Sequence, residues 1–123
     1  MFEIAIQKTF SAAHRLRNYN GQCEAVHGHN WKVEVFIRAK DLNPLGLAMD
    51  FKDLKDITSR ILSDLDHKYL NEVPPFDQIN PSSENIARYL YDRLKAEIPE
   101  PGVSVAKISV WESDNAVASY YED

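Results

Sequence analysis

The chain has 123 residues and a formal net charge of −5, with 44% hydrophobic and 27% charged residues. This length suits a single domain over 1–123 with one core, and the composition excludes a disordered chain. An acidic balance without a basic stripe argues against nucleic acid as a partner. Because no apolar run approaches the ~18 residues of a membrane span, no membrane contact is expected either.

The N-terminus and the cysteine content predict where the protein works. Residues 1–10 alternate apolar and polar side chains and lack the charged and then apolar order of a signal peptide. Cys23 is the only cysteine, so no internal disulfide can form, which is typical of a reducing compartment. We therefore expect a cytoplasmic protein with a free thiol.

Two strands are predicted at the start of the chain, each with histidine on its apolar side. Even positions from Phe2 to His14 and odd positions from His27 to Ile37 are mostly apolar, the alternation of half-buried strands. If these strands pair as an antiparallel hairpin, His14 lies beside His27 and His29. Three imidazoles with one open position match a catalytic zinc site, although iron, nickel and cobalt also accept such ligands.

Two helices and two further strands are predicted next. Apolar residues every three or four positions predict a helix over 51–65, capped by Asp50. A second helix starts within 80–84 with a serine cap and ends before Pro99. Strands at 103–112 and 116–121 flank a tight turn. The order ββααββ predicts an α+β fold, a four-stranded antiparallel sheet with two helices on one face, whose open edges favour self-association.

Four polar residues leave alternatives open. Cys23, in the loop before His27, fits a catalytic base or nucleophile, a fourth metal ligand that closes the site, or an inert thiol. Asp66 and His67 follow a helix end, where the histidine fits either a cap for the last carbonyls or a proton relay. Glu112 lies on the apolar side of its strand, so its carboxylate needs a buried cation or a ligand with two donor groups.

These residues stand in several short motifs in a fixed order. In this order the chain resembles the 6-pyruvoyltetrahydropterin and 6-carboxytetrahydropterin synthase family over essentially its full length. The matching motifs are Phe-Ser-Ala-Ala-His ending at His14, Cys-x-x-x-His-Gly-His over 23–29, Met-Asp-Phe over 49–51 with Leu54-Lys55, Leu-Asp-His over 65–67, Asn-Pro-Ser-Ser-Glu over 80–84, and Glu112.

The resemblance implies a tunnelling fold, in which subunits join their sheets into a barrel, usually a homohexamer with active sites between subunits. It also implies a role for each motif residue: zinc held by His14, His27 and His29, Cys23 as proton acceptor, Asp66 and His67 as a relay, Glu112 as pterin anchor, and Ser82 and Ser83 lining the pterin pocket. The implied substrate is 7,8-dihydroneopterin triphosphate. We expect Arg15, Arg17 and Lys32 to contact its phosphates, with solvated surface charge as the alternative for each.

The spacing of Cys23 and His27 resembles the bacterial carboxytetrahydropterin branch, which releases acetaldehyde and triphosphate on the way to queuosine. With Glu24 directly after the cysteine, the motif Cys-Glu-x-x-His-Gly-His resembles a subgroup in which a glutamate helps to form 6-hydroxymethyl-7,8-dihydropterin for folate synthesis. The alternative is that Glu24 is a solvated loop residue. The alternative functions are a pyruvoyl synthase, an unrelated zinc hydrolase, and a module with a closed structural zinc.

Overall fold

The computed structural model describes residues 1–123 as one mixed sheet packed against two helices. The strand order in the sheet is β3-β1-β2-β4-β5. Neither helix is long and apolar enough to cross a bilayer. The elements are β1 Phe2–His14, β2 His27–Ala39, α1 Phe51–Leu62, β3 Lys68–Tyr69, a 3₁₀ helix Leu70–Glu72, α2 Ser83–Glu97, β4 Val103–Ser113 and β5 Ala116–Tyr120.

The sheet has five strands, so the prediction of four strands was wrong. The additional strand β3 has two residues and pairs parallel to β1 through Ala12 with Lys68 and Ala13 with Tyr69. Two residues cannot display an alternating pattern, so periodicity gave no signal for this strand. Its effect is local, because it fixes the preceding residues, Asp66 and His67, against β1.

Both helices lie where the apolar spacing predicts them. The Asp50 side chain accepts a hydrogen bond from the Lys52 amide, and Ser82 caps α2 through the Asn85 amide. However, α1 ends at Leu62 rather than at residue 65. The amide of Leu65 instead donates to the carbonyl of Leu62 at 2.9 Å, a tighter turn that ends the helix while Leu65 stays buried.

The register of the first hairpin brings the histidines together. In the antiparallel pairing of β1 with β2, His14 lies opposite His27 and Ala12 lies opposite His29. Alternation puts these histidines on the same face as the fully buried Trp31 and Val33. The helices cover this face, so the three histidines lie at the end of the apolar core.

The core is a single cluster of 23 buried residues to which the sheet and both helices contribute. Leu90 of α2 is 1% exposed within it. We expect Leu90→Ala to lower the free energy of unfolding by about 2–5 kcal/mol, because the substitution removes buried methyl groups and leaves a cavity. Urea denaturation measures this change, and Asp92→Ala, at an exposed position of the same helix, should stay within about 0.5 kcal/mol. Equal effects of the two substitutions would contradict the assignment of this helix face to the core.

Candidate metal centre and active site

Three imidazoles and one carboxylate converge at the end of the first hairpin. One ligand atom from each of His14, His27, His29 and Glu112 lies within 4.8 Å of the others. His14 is buried, His29 and Glu112 are half-buried, and His27 is the most exposed of the four. The strand parity that predicted three convergent histidines is therefore realised in the folded chain, and Glu112 from β4 joins them as a fourth donor.

Backbone carbonyls orient two of the three rings. The Nδ1 atom of His14 lies 2.8 Å from the carbonyl oxygen of Pro81, and that of His27 lies 2.9 Å from the carbonyl oxygen of Ala25. A carbonyl can only accept, so each Nδ1 carries the proton and donates it. The lone pair is then on Nε2 in both rings. Histidines that bind metal ions are usually oriented by a hydrogen bond of this kind.

The inner nitrogens lack ordinary partners. The Nε2 atoms of His14 and His29 are buried without a hydrogen bond. Glu112 Oε1 lies 3.0 Å from Nε2 of His29 and 4.0 Å from Nε2 of His14, but neither contact has hydrogen-bond geometry. Burial lowers the pKa of His29, against the opposing effect of Glu112, so its neutral form is favoured.

These features fit a bound cation. Lone pairs that face one another and a carboxylate in a buried place cost free energy unless a cation or a shared proton lies between them. Imidazole ligands with one carboxylate oxygen suit zinc among the common metal ions. The residues present therefore match the group that the sequence predicts, with three imidazoles as ligands, Glu112 close to them and Cys23 outside the cluster.

The loop between β1 and β2 carries Cys23 and Glu24 beside this centre. Cys23 is an exposed free thiol and is not among the four convergent donors. Glu24 is half-buried and closes the loop, because its amide donates to the Leu16 carbonyl at 3.0 Å and its Oε1 accepts from the Leu16 amide at 2.9 Å. Its charge opposes the lowering of the His29 pKa, but this effect is weaker than those of burial, Glu112, His14 and His27.

Asp66 and His67 form a carboxylate–imidazole pair at the edge of the sheet. Asp66 Oδ1 accepts from the Ser11 amide at 2.9 Å and lies 3.0 Å from Nδ1 of His67. Donation from the Ser11 amide, followed by the effect of His67, lowers the pKa of Asp66. The His67 side chain is 81% exposed. It points its free nitrogen to solvent instead of capping helix carbonyls, an arrangement suited to proton exchange.

The relay pair does not join the four donors within one chain. The amide of His67 bonds to the carbonyl of Ser11 at 2.6 Å, three residues before His14 along β1. At about 3.3 Å per strand residue, this offset is about 10 Å. His29 and His67 do line a common cleft of about 530 Å³.

Comparison with known proteins identifies the family of this fold and site. A family model described as 6-pyruvoyl tetrahydropterin synthase matches residues 3–123. The chain belongs to this family. The tunnelling fold that the motifs predict is confirmed, since the structure of Caenorhabditis elegans 6-pyruvoyl tetrahydropterin synthase superimposes with a TM-score of 0.83 and 26% identity, over 99% of this chain and 96% of that one.

Relatives within the family carry more than one name. An Archaeoglobus fulgidus protein, provisionally named a 6-carboxy-5,6,7,8-tetrahydropterin synthase, is 41% identical over 91% of this chain and 89% of its own length. A Pyrococcus furiosus protein named dihydroneopterin monophosphate aldolase is 31% identical over 90% of both chains. Membership of the family therefore does not by itself select one reaction.

Two of the three cations predicted to contact phosphate, Arg17 and Lys32, have partners within the chain. The Arg17 guanidinium donates to three backbone carbonyls. Lys32 lies on the opposite side of β2 from the histidines, with its ammonium 4.5 Å from the Trp111 ring centre. The Arg15 backbone is bonded to Asn71, and its side-chain Nε is buried without a partner. Phosphate contact remains a prediction for all three residues.

The two serines predicted in the pterin pocket lie at the start of α2. Ser82 is the helix cap, and the buried Ser83 has its hydroxyl 3.4 Å from Glu112 Oε2. Sequence reasoning missed the residues that hold this region, namely Asn71, Asn80 and the Pro81 carbonyl. An asparagine in a loop has no pattern that distinguishes a structural role from solvation, and a carbonyl carries no sequence signal at all.

Proposed function

We propose that the protein converts 7,8-dihydroneopterin triphosphate and water to 6-carboxy-5,6,7,8-tetrahydropterin, acetaldehyde and triphosphate, the reaction that leads to queuosine and related deazapurines. The observation that carries this proposal is the cluster of three histidines and Glu112, with the Cys23 loop beside it, in a chain that the family model matches from residue 3 to 123. The relative from Archaeoglobus fulgidus, at 41% identity, supports the carboxy product. In this proposal the protein works as a cytoplasmic homohexamer.

Zinc, when bound, polarises the oxygens of the substrate side chain and acidifies the adjacent C–H bonds. The Nε2 atoms of the three histidines would hold it, because the Nδ1 atoms of His14 and His27 are used by backbone carbonyls. Glu112 has two oxygens for two tasks. Oε1 faces His29, while Oε2 lies near Ser83. When the histidines bind zinc, the Glu112 carboxylate would be free to accept from two neighbouring N–H donors of a pterin ring.

Two residues would move protons. Cys23 has an exposed thiol in the loop before His27, and in this proposal it accepts the proton of a substrate C–H. Asp66 fixes the ring of His67 through Nδ1, which leaves Nε2 free to exchange a proton on the other side of the same carbon. Because the resemblance implies active sites between subunits, a neighbouring subunit is the proposed source of the relay.

Product analysis tests the reaction directly. The purified protein is incubated with zinc and 7,8-dihydroneopterin triphosphate, and pterins, aldehydes and phosphates are separated and quantified. We expect acetaldehyde and the carboxypterin in equal amounts. A pyruvoyl product would assign the reaction named for the Caenorhabditis elegans structure, and hydrolysis of other substrates without pterin turnover would favour a zinc hydrolase.

A second activity, cleavage of the side chain to 6-hydroxymethyl-7,8-dihydropterin, is favoured by Glu24. Its Oε1 accepts from the Leu16 amide, so the carboxylate is held in the loop before His27 instead of being free in solvent. The Pyrococcus furiosus relative is named an aldolase for a dihydroneopterin phosphate. A fixed carboxylate beside a metal-polarised substrate is suited to general-base work.

Glu24→Gln separates the two activities. The glutamine carbonyl can still accept from Leu16, so the loop should keep its shape while the basic charge is lost. We expect formation of the hydroxymethyl product to fall by about 100-fold or more, the usual contribution of a general base, and the carboxy product to change by only a few fold. Glu84→Gln, at an exposed position, serves as the control. The second activity is refuted if the wild type forms no hydroxymethyl product or Glu24→Gln forms it normally.

A further inference from the structure

The segment before α2 is hydrogen-bonded to Arg17, in the loop that follows β1. Arg17 Nη2 donates to the carbonyls of Phe76 at 2.7 Å and Asn71 at 3.1 Å, and Nη1 donates to the carbonyl of Ile79 at 3.2 Å. The Arg17 amide also donates to Asn80 Oδ1 at 2.8 Å, and the Asn80 side chain donates back to the Arg17 carbonyl at 3.1 Å. Five hydrogen bonds thus join a single residue to the 71–80 segment.

The residue after this segment, Pro81, contacts a histidine of the metal centre. Pro81 follows Asn80 directly, and its carbonyl accepts from Nδ1 of His14 at 2.8 Å. Pro81 cannot itself be held through an amide hydrogen, because proline has none. Its position therefore depends on its neighbours, namely Asn80 on one side and the cap of α2 by Ser82 on the other.

We propose that Arg17 is a positioning residue of the metal centre. By holding the 71–80 segment, it keeps the Pro81 carbonyl against His14, which fixes the ring with its Nε2 lone pair turned toward His27, His29 and Glu112. Its fork of planar N–H donors suits three carbonyls in fixed directions, whereas a lysine ammonium offers no such fork. In this role the Arg17 guanidinium binds protein carbonyls, which is an alternative to the phosphate contact predicted from sequence. This inference rests on the proposed metal centre but not on the pterin reaction.

Metal affinity measured without substrate tests the role. Zinc affinity is obtained by competition with a chromophoric chelator, and the geometry of the centre is followed by the visible absorption of the cobalt(II) form, for wild type, Arg17→Lys and Arg17→Gln. We expect both variants to bind zinc about 10-fold more weakly and to change the cobalt spectrum, because a ligand histidine whose orienting hydrogen bond is disturbed binds metal less well. Should Arg17→Gln not fold, Arg17→Lys still carries the test.

Arg93→Lys is the matched control, because the Arg93 guanidinium also makes side-chain hydrogen bonds away from the metal centre, to Asp64 in the turn after α1 at 3.3 Å and to the Tyr89 hydroxyl of its own helix at 2.6 Å. It should keep wild-type affinity within about 2-fold. The proposal is overturned if both Arg17 variants bind metal normally, or if Arg93→Lys weakens binding equally. It is also overturned if Arg17→Lys is normal in every respect and Arg17→Gln only raises KM, which is the result for a phosphate contact. Failure of the pterin assay alone leaves these affinities unaffected.

Discussion

His29→Ala is expected to weaken zinc binding by more than about 100-fold, since even the loss of a residue that only hydrogen-bonds a metal ligand costs about 10–100-fold. His29 is the choice for this test because its side chain is 23% exposed, against 3% for His14, so its removal disturbs the core less. Turnover of 7,8-dihydroneopterin triphosphate should fall by about 1,000-fold, as expected when several kcal/mol of charge stabilisation is lost. Metal content after gel filtration and the rate of product formation measure the two effects.

His67→Asn controls for the loss of any imidazole. His67 lies outside the four donors, so this variant should retain its zinc while losing turnover through the relay. Removal of zinc from wild type by a chelator should reproduce the His29→Ala phenotype, and zinc added back should restore only the wild type. Normal zinc content in His29→Ala, or full turnover after removal of the metal, would contradict the assignment of the centre.

The convergence of the three histidines was predictable because side chains alternate strictly between the two faces of a strand. His14, His27 and His29 each fall on the apolar parity of their strands, and antiparallel pairing leaves only one end where the three can meet. Glu112 was predictable as an inward-facing carboxylate for the same reason. Its contact with His29 was not, because it depends on β4 lying next to β2, a neighbour relation between distant segments.

The partners of long cationic side chains could not be predicted. Arg17 and Lys32 flank the metal motif in sequence and are predicted to contact phosphate, whereas in the folded chain their charged groups lie against backbone carbonyls and an aromatic face. A long cationic side chain can reach many partners, and its sequence neighbours do not decide among them. Strand β3 was missed because two residues carry no periodicity.

The position of His67 has a consequence for the assembly. Nε2 of a relay histidine must come within hydrogen-bond reach of the substrate, directly or through one water. The backbone of His67 is anchored to Ser11, about 10 Å along β1 from His14. Cys23 precedes β2 in the loop beside the metal centre. In the proposed function, the two proton-moving groups of one chain would serve different active sites, each completed by a neighbouring copy.

Mixing two inactive variants tests this sharing. Cys23→Ala and His67→Asn should each lose turnover by about 100-fold or more, as expected for a missing acid or base. If Cys23 comes from one subunit and His67 from the next, random reassembly at equal amounts gives both intact groups to about one site in four, so about a quarter of wild-type turnover should return. The variants are unfolded together, refolded and assayed per mole of protein.

A mixture of Asp66→Asn with His67→Asn is the control. Both substitutions damage the same relay pair, so every site receives one damaged relay and turnover should stay at the level of the separate variants. If Cys23→Ala with His67→Asn also stays inactive, while wild type treated in the same way recovers, both groups act within one chain. His67 would then have to reach the metal centre by movement across the cleft that it lines with His29. Recovery near one quarter instead requires that the active sites be built between subunits.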